Sequence, residues 1–135
     1  MTAVTVDRTG TRDGFLRLAL RADATASGLM GIAGIPFAGW LAETSGTTTA
    51  FEYSMSAFFI AFAVGVFALA SRPSVTTAGI VIAAGNLLYT VASVVLVLAD
   101  VFPLTTTGVV LTLSGGVYTL VMAELQYQGW RRAKA

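Results

Sequence analysis

Uncharged apolar stretches alternate with short polar breaks along this chain. Four runs carry no Asp, Glu, Lys or Arg: 24–42, 53–71, 73–99 and 101–123. Each is close to the ~20 apolar residues that a bilayer-crossing helix needs. The pattern predicts helices over about 15–42, 51–71, 76–99 and 104–130. A mobile polar tail at 1–14 and a basic tail at 131–135 frame them. Turn chemistry fills the breaks: a Thr-rich stretch around Gly46, then Arg72-Pro73, then Asp100-Val101-Phe102-Pro103. The residue before a proline avoids helical backbone, so Arg72 ends its helix. Pro36, inside the first predicted helix, removes one backbone hydrogen bond and marks a kink.

Composition sharpens this reading. Of 135 residues, 56% are hydrophobic and 11% charged, and the mean hydropathy is +0.79. Soluble domains carry roughly a quarter charged residues, so a water-facing globular surface is excluded. With no Cys and no His, disulfides, zinc-thiolate sites, His-ligated haem and Cys-His or Ser-His pairs are excluded too. Phosphate-binding glycine loops are missing, and a net charge of +1 with basic groups at membrane flanks argues against nucleic acid. The expectation is a non-enzyme with no cofactor and no metal.

Charge placement predicts orientation. The 8 Lys and Arg residues occupy the N-terminal flank (Arg8, Arg12, Arg17, Arg21), the second connection (Arg72) and the C-terminus (Arg131, Arg132, Lys134). The other two connections carry Glu43, Glu52 and Asp100. By the positive-inside rule the basic side is cytoplasmic. The expected architecture is an all-α membrane protein: four transmembrane helices in a left-handed antiparallel bundle, multi-pass in the plasma membrane, both termini cytoplasmic. Removal of the first helix as a signal peptide fits poorly, because a cut after Ala42 would place bulky Trp40 at the −3 site.

Small or weakly polar residues recur at spacings of three and four in every predicted helix. They are Ala24, Ser27, Gly31, Gly34 and Ala38; Ser54, Ala57, Ala61, Gly65 and Ala68; Gly79, Ala83, Asn86, Thr90 and Ser93; and Thr105, Gly108, Thr112, Gly115, Thr119 and Ala123. Helices in lipid associate through such faces, so these are the expected contact seams. A weak internal duplication is also visible: the Thr tracts 47–49 and 105–107 stand near an offset of 57 residues, as do Gly28 and Gly85. Chance matching in apolar sequence explains it equally well.

Two clusters are candidate sites. Asn86, about 15 Å into its helix at 1.5 Å per residue, is the one strongly polar side chain expected near mid-membrane. Tyr89, Thr90, Ser93, Ser114 and Tyr118 share its neighbourhood or depth. They form either an interhelical hydrogen-bond site or a lining for an ion or small solute. Counting inward from Ala42 and from Thr105 places Asp23 and Glu124 at the inner membrane boundary. With Arg17, Arg21, Arg72 and Gln126 they make an expected ion-paired belt, either structural or coupled to proton or cation movement.

Small four-helix multidrug exporters match this length but place a carboxylate in mid-helix 1, where this chain has Gly31 to Pro36; fluoride-channel motifs are not apparent. Three stretches resemble an uncharacterised family of small actinobacterial four-helix integral membrane proteins: LRLALRADATASG from Leu16, AAGNLLYTVAS from Ala83 and AELQYQGWRR from Ala123. Family members read Ala-Asn at Gly85-Asn86, an apolar residue at Glu124 and Leu at Trp130. The resemblance implies the topology and a plasma-membrane location and supplies no activity. The expected function is association, as a homo-oligomer or an accessory subunit of a larger membrane complex. The alternative is a small transporter or channel built around Asn86.

Overall fold

Threonine opens two of the long helices. Thr48 and Thr105 are extended N-caps whose hydroxyls accept the backbone N–H of Phe51 at 3.1 Å and of Gly108 at 3.0 Å. Each satisfies a donor that the first helical turn leaves without a partner. The computed structural model describes residues 8–135, with side chains from Arg12 onwards, and over that range it is all-helical. The helices are α1 (Arg8–Gly34), α2 (Ala38–Ser45), α3 (Thr49–Ala70), α4 (Thr76–Leu98) and α5 (Thr106–Lys134). Residues 1–7, half of the predicted tail, lie outside the described residues. α1 is already helical at Arg8, ahead of the predicted start.

α3, α4 and α5 are each long and apolar enough to cross a membrane. A fourth span exists if α1 and α2 count as one, and here the structure corrects the predicted continuous helix over 15–42. The chain leaves helical geometry around Pro36, and the two segments meet at 91°. Pro36 has no N–H to donate and its ring crowds the preceding turn, so the break falls there. α2 stops at Gly46, whose φ of 80° lets its N–H reach the Ala42 carbonyl at 2.9 Å. Any Cβ at Gly46 would also collide with the Pro103 carbonyl. The two acidic connections are clasped: the Thr105 N–H donates to the Ser45 carbonyl at 3.0 Å and its hydroxyl to the Thr44 carbonyl at 2.5 Å.

Large and small side chains divide the interior. Leu16, Leu20, Ala24, Ala63, Val66, Ala70 and Val75 form the buried core at the basic end, with Phe62, Ile82, Trp130 and Ala133 packed on it. Away from that end, close backbone approach replaces bulk. A Cβ on Gly28 would stand 3.1 Å from that of Ala63, and one on Gly31 would stand 2.8 Å from the Ser56 carbonyl. α1 packs against α3 on one side and α5 on the other, and α4 pairs with α5. α3 and α4, consecutive in the chain, scarcely meet. Rings bridge that gap, with Tyr89 6.5 Å from Phe58 and 6.1 Å from Phe59 between centroids.

The predicted seams of α1, α4 and α5 face mostly inward, as periodicity implied. That of α3 does not. Ser54, Ala57, Ala61, Gly65 and Ala68 are all exposed, and the buried face of α3 is Ser56, Ala63, Val66 and Ala70 on the opposite side. Size alone cannot tell a neighbouring helix from lipid, because in hydrocarbon either is apolar.

Candidate functional site

α1, α4 and α5 converge on one carboxylate. Asp23 is 0% exposed, and four neutral donors saturate it. Its Oδ2 accepts from Asn86 Nδ2 at 2.7 Å and from Gln126 Nε2 at 2.8 Å. Its Oδ1 accepts from the Tyr118 hydroxyl at 2.7 Å and the Ser27 hydroxyl at 3.2 Å. Asn86 uses the same amide nitrogen to reach Gln126 Oε1 at 2.9 Å, closing a triangle of side chains from three helices. Local periodicity makes this possible: Asp23 and Ser27 share a face of α1 one turn apart, and Tyr118 and Gln126 lie two turns apart on α5.

Donors surround the carboxylate and no cation pairs with it among the described residues. Two oxygens offer about four lone-pair sites, and four N–H or O–H groups fill them. The carboxylate oxygens are therefore met by oriented donors at a fully buried position, where a lost donor is expensive. A second chain of bonds extends from this triangle. The Thr90 hydroxyl meets the Asn86 carbonyl at 3.2 Å, the Gly116 carbonyl at 2.9 Å and the Thr119 hydroxyl at 2.8 Å. Ser93 donates back to the Thr90 carbonyl at 2.7 Å.

The two predicted clusters are thus redistributed. Asn86 and Tyr118 meet on Asp23, with Thr90 and Ser93 attached through backbone carbonyls. Tyr89 turns instead toward Phe58 and Phe59, and Ser114 is exposed on the outside of α5. The expected belt does not form. Asp23 and Gln126 belong to the buried network, while Glu124 is exposed and accepts from Gln128 within its own helix at 2.8 Å. Arg17 pairs with Asp13 one turn earlier, N to O 3.3 Å. Its guanidinium also caps α3, donating to the carbonyls of Ala70 at 2.7 Å, Arg72 at 2.6 Å and Pro73 at 2.7 Å. Arg21 is exposed and reaches the Ala70 carbonyl at 3.4 Å; Arg72 is exposed and contributes its carbonyl to Arg17.

Asp23 is expected at the inner boundary only if its depth is counted from Ala42 along an unbroken helix. Measured from the end of α1 at Gly34, Asp23 is about 16 Å inward at 1.5 Å per residue, level with Asn86. Ser27 was seen only as a small seam residue. Its spacing of four from Asp23 was the signal that paired them. Comparison with family models, curated proteins and solved structures finds no match.

Proposed function

We propose that this chain is a non-enzymatic integral protein of the plasma membrane that acts by association, as a homo-oligomer or an accessory subunit of a larger membrane complex. The observation that carries this reading is the outward seam of α3. Ser54, Ala57, Ala61, Gly65 and Ala68 stand on the face opposite its core contacts, and a Cβ added at Gly65 meets nothing within 4 Å. Small residues in lipid allow two backbones to approach closely, and this chain leaves that capacity unused.

The same reading takes four spans in a left-handed antiparallel bundle with both termini cytoplasmic. Contacts between α1 and α3 support it, since Gly28 meets Ala63 whereas Gly34, further along α1, meets the earlier Ser56. So does charge: Arg12, Arg17, Arg72, Arg131, Arg132 and Lys134 gather where Leu16, Val75 and Trp130 pack, while Glu43 in α2, Glu52 in the first turn of α3 and Asp100 after α4 lie at the opposite end. Membership of the small actinobacterial four-helix family, carried by the three stretches quoted above, belongs to this reading as well.

The test is subunit counting by single-molecule photobleaching in nanodiscs drawn directly from membranes, combined with cross-linking between Cys residues placed at Ala57 and Ala61. Association through α3 gives cross-linked products that Gly65→Leu abolishes while thermal stability is unchanged. A strictly monomeric particle without co-purifying chains overturns it. The transport reading keeps one supporting observation, a buried carboxylate with no cationic partner among the described residues. Solute flux in liposomes that Asp23→Asn abolishes would favour it.

A further inference from the structure

The gap between α3 and α4 opens a second site, away from the Asp23 carboxylate and the outward seam of α3 and sharing only Ser93 with the hydrogen-bond chain that leaves Asn86. At the acidic end a cleft of about 320 Å³ lies between these helices, bounded by α2 and the start of α5. Phe51, Met55, Phe59 and Tyr89 supply much of its apolar wall, and Thr47 and Glu52 line it as well. The volume falls within the range of small-molecule pockets, which combine apolar walls with a few fixed polar groups.

Glu52 gives the cleft its sign. It is half-buried, and the carboxylate's one hydrogen-bond partner among the described residues is the Thr47 hydroxyl, 2.5 Å from Oε2. No ion pair neutralises it there. α2 adds Glu43 and the connection after α4 adds Asp100 nearby, and no Lys or Arg occurs between Arg21 and Arg72 or between Arg72 and Arg131. A negative rim over low-dielectric walls focuses field and attracts cations. Aromatic faces such as those of Phe51, Phe59 and Tyr89 favour positive charge again, most strongly where water is excluded. We infer that this cleft binds an amphipathic organic monocation, its ammonium group against Glu52 and its apolar body between α3 and α4.

An acyl chain of the bilayer is the competing occupant, and it needs no carboxylate. The two separate in a titration of octyltrimethylammonium into the full chain in zwitterionic nanodiscs, with empty nanodiscs as the background and octyl sulfate and 1-octanol as charge controls. Cation binding predicts saturable uptake by the wild type, weaker by about tenfold or more in Glu52→Gln, since losing one member of a partly desolvated charge pair acts strongly. The glutamine carbonyl can still accept from Thr47, so this variant keeps its fold, which the thermal midpoint checks. Ala92→Phe, at an exposed position of α4 lining the cleft, fills the space and should weaken binding equally. Glu124→Gln, exposed near the basic end and outside the cleft, should leave it unchanged. Uptake no greater than by empty nanodiscs, equal binding of 1-octanol or octyl sulfate, or undiminished binding in Glu52→Gln each overturns the inference. Subunit counting is independent of all these readouts, so failure here does not touch the association reading.

Discussion

Asn86 Nδ2 lies 2.7 Å from Asp23 Oδ2 and so ties α4 to α1, two helices that otherwise share few contacts. An amide and a carboxylate accomplish across that distance what packing does elsewhere in the bundle. The bond is directional and buried, and it fixes how α4 is rotated: with Asn86 turned inward, Gly79, Ala83 and Ser93 are buried too. Gln126 then locks both side chains from α5, so the three helices share one register.

Replacing Asp23 tests this relation most directly. Asp23→Asn puts an amide nitrogen where one carboxylate oxygen accepted two bonds, so donors face a donor. The expected loss is about 1–3 kcal/mol, the usual penalty for stranding buried polar groups. Asp23→Leu should lose more, because Gln126 and Tyr118 lose their side-chain acceptor and Asn86 keeps only Gln126 Oε1. Adding Asn86→Leu to Asp23→Leu should recover part of that loss, a coupling visible in a double-mutant cycle. Unfolding in nanodiscs measures it. Strict additivity would mean that the two residues act separately.

Arg17 and Glu124 should part company under mutation, although sequence placed them in one belt. Arg17→Ala removes three donors from the carbonyls that close α3 and leaves Asp13, 3% exposed, without its cation. We expect a loss of about 1.5–3 kcal/mol, typical of hydrogen bonds to a charged group, with faster amide exchange around Ala70 to Val75. Arg17→Lys should recover little, since an ammonium cannot reproduce the planar fork. Glu124→Gln should stay within about 0.5 kcal/mol of wild type, as expected for exposed positions.

Helix existence and the inward seams of α1, α4 and α5 were legible because both follow from periodicity and length. The Thr tract at 47–49 was visible as a turn and that at 105–107 as the start of the last helix, and the N-caps Thr48 and Thr105 come from these same tracts. Two features were hidden. Pro36 announced a kink but not an angle, and the 91° bend moved the reference from which depth is counted. That error separated Asp23 from Asn86. The outward seam of α3 was hidden for another reason: periodicity identifies a face but says nothing about which side the neighbour occupies.

Glycines distinguish the two kinds of face. A Cβ on Gly129 would lie 2.7 Å from the Leu16 Cα, a backbone atom that cannot step aside. Gly129→Ala should therefore force α1 and α5 apart and cost about 1–3 kcal/mol, as overpacking does. Gly65 and Gly85 have open space around a new Cβ, and both are exposed. In the isolated chain Gly65→Ala and Gly85→Ala should be neutral or stabilising by up to about 1 kcal/mol, the difference in helix propensity. Thermal midpoints of the three variants, at matched lipid composition, give the ordering. A Gly129→Ala variant as stable as Gly85→Ala would mean that α1 and α5 do not approach so closely.

Orientation is open to chemistry because the chain has no native Cys, so a single introduced thiol reports its own side of the membrane. Gly46 is a poor place for it: its φ is 80° and a Cβ would meet the Pro103 carbonyl. Glu43, near the end of α2, and Val101, in the connection after α4, are exposed and lie at the end without Lys or Arg. Ser74 is exposed in the connection beside Arg72, and Ala133 lies among the basic residues that close α5. If the basic side is cytoplasmic, Glu43→Cys and Val101→Cys in intact cells should react with a membrane-impermeant maleimide. Ser74→Cys and Ala133→Cys should react only after the membrane is opened. α2 adds a further demand, because it meets α1 at 91° and carries exposed Trp40 at 61% relative accessibility. Lying along the interface, it would place Trp40 among the headgroups. Trp130 is the one other tryptophan, so Trp130→Phe isolates the Trp40 signal, which depth-dependent quenchers should locate near the membrane surface. Labelling of Ser74→Cys from outside would invert the topology, and deep quenching of Trp40 would make α1 and α2 one continuous span.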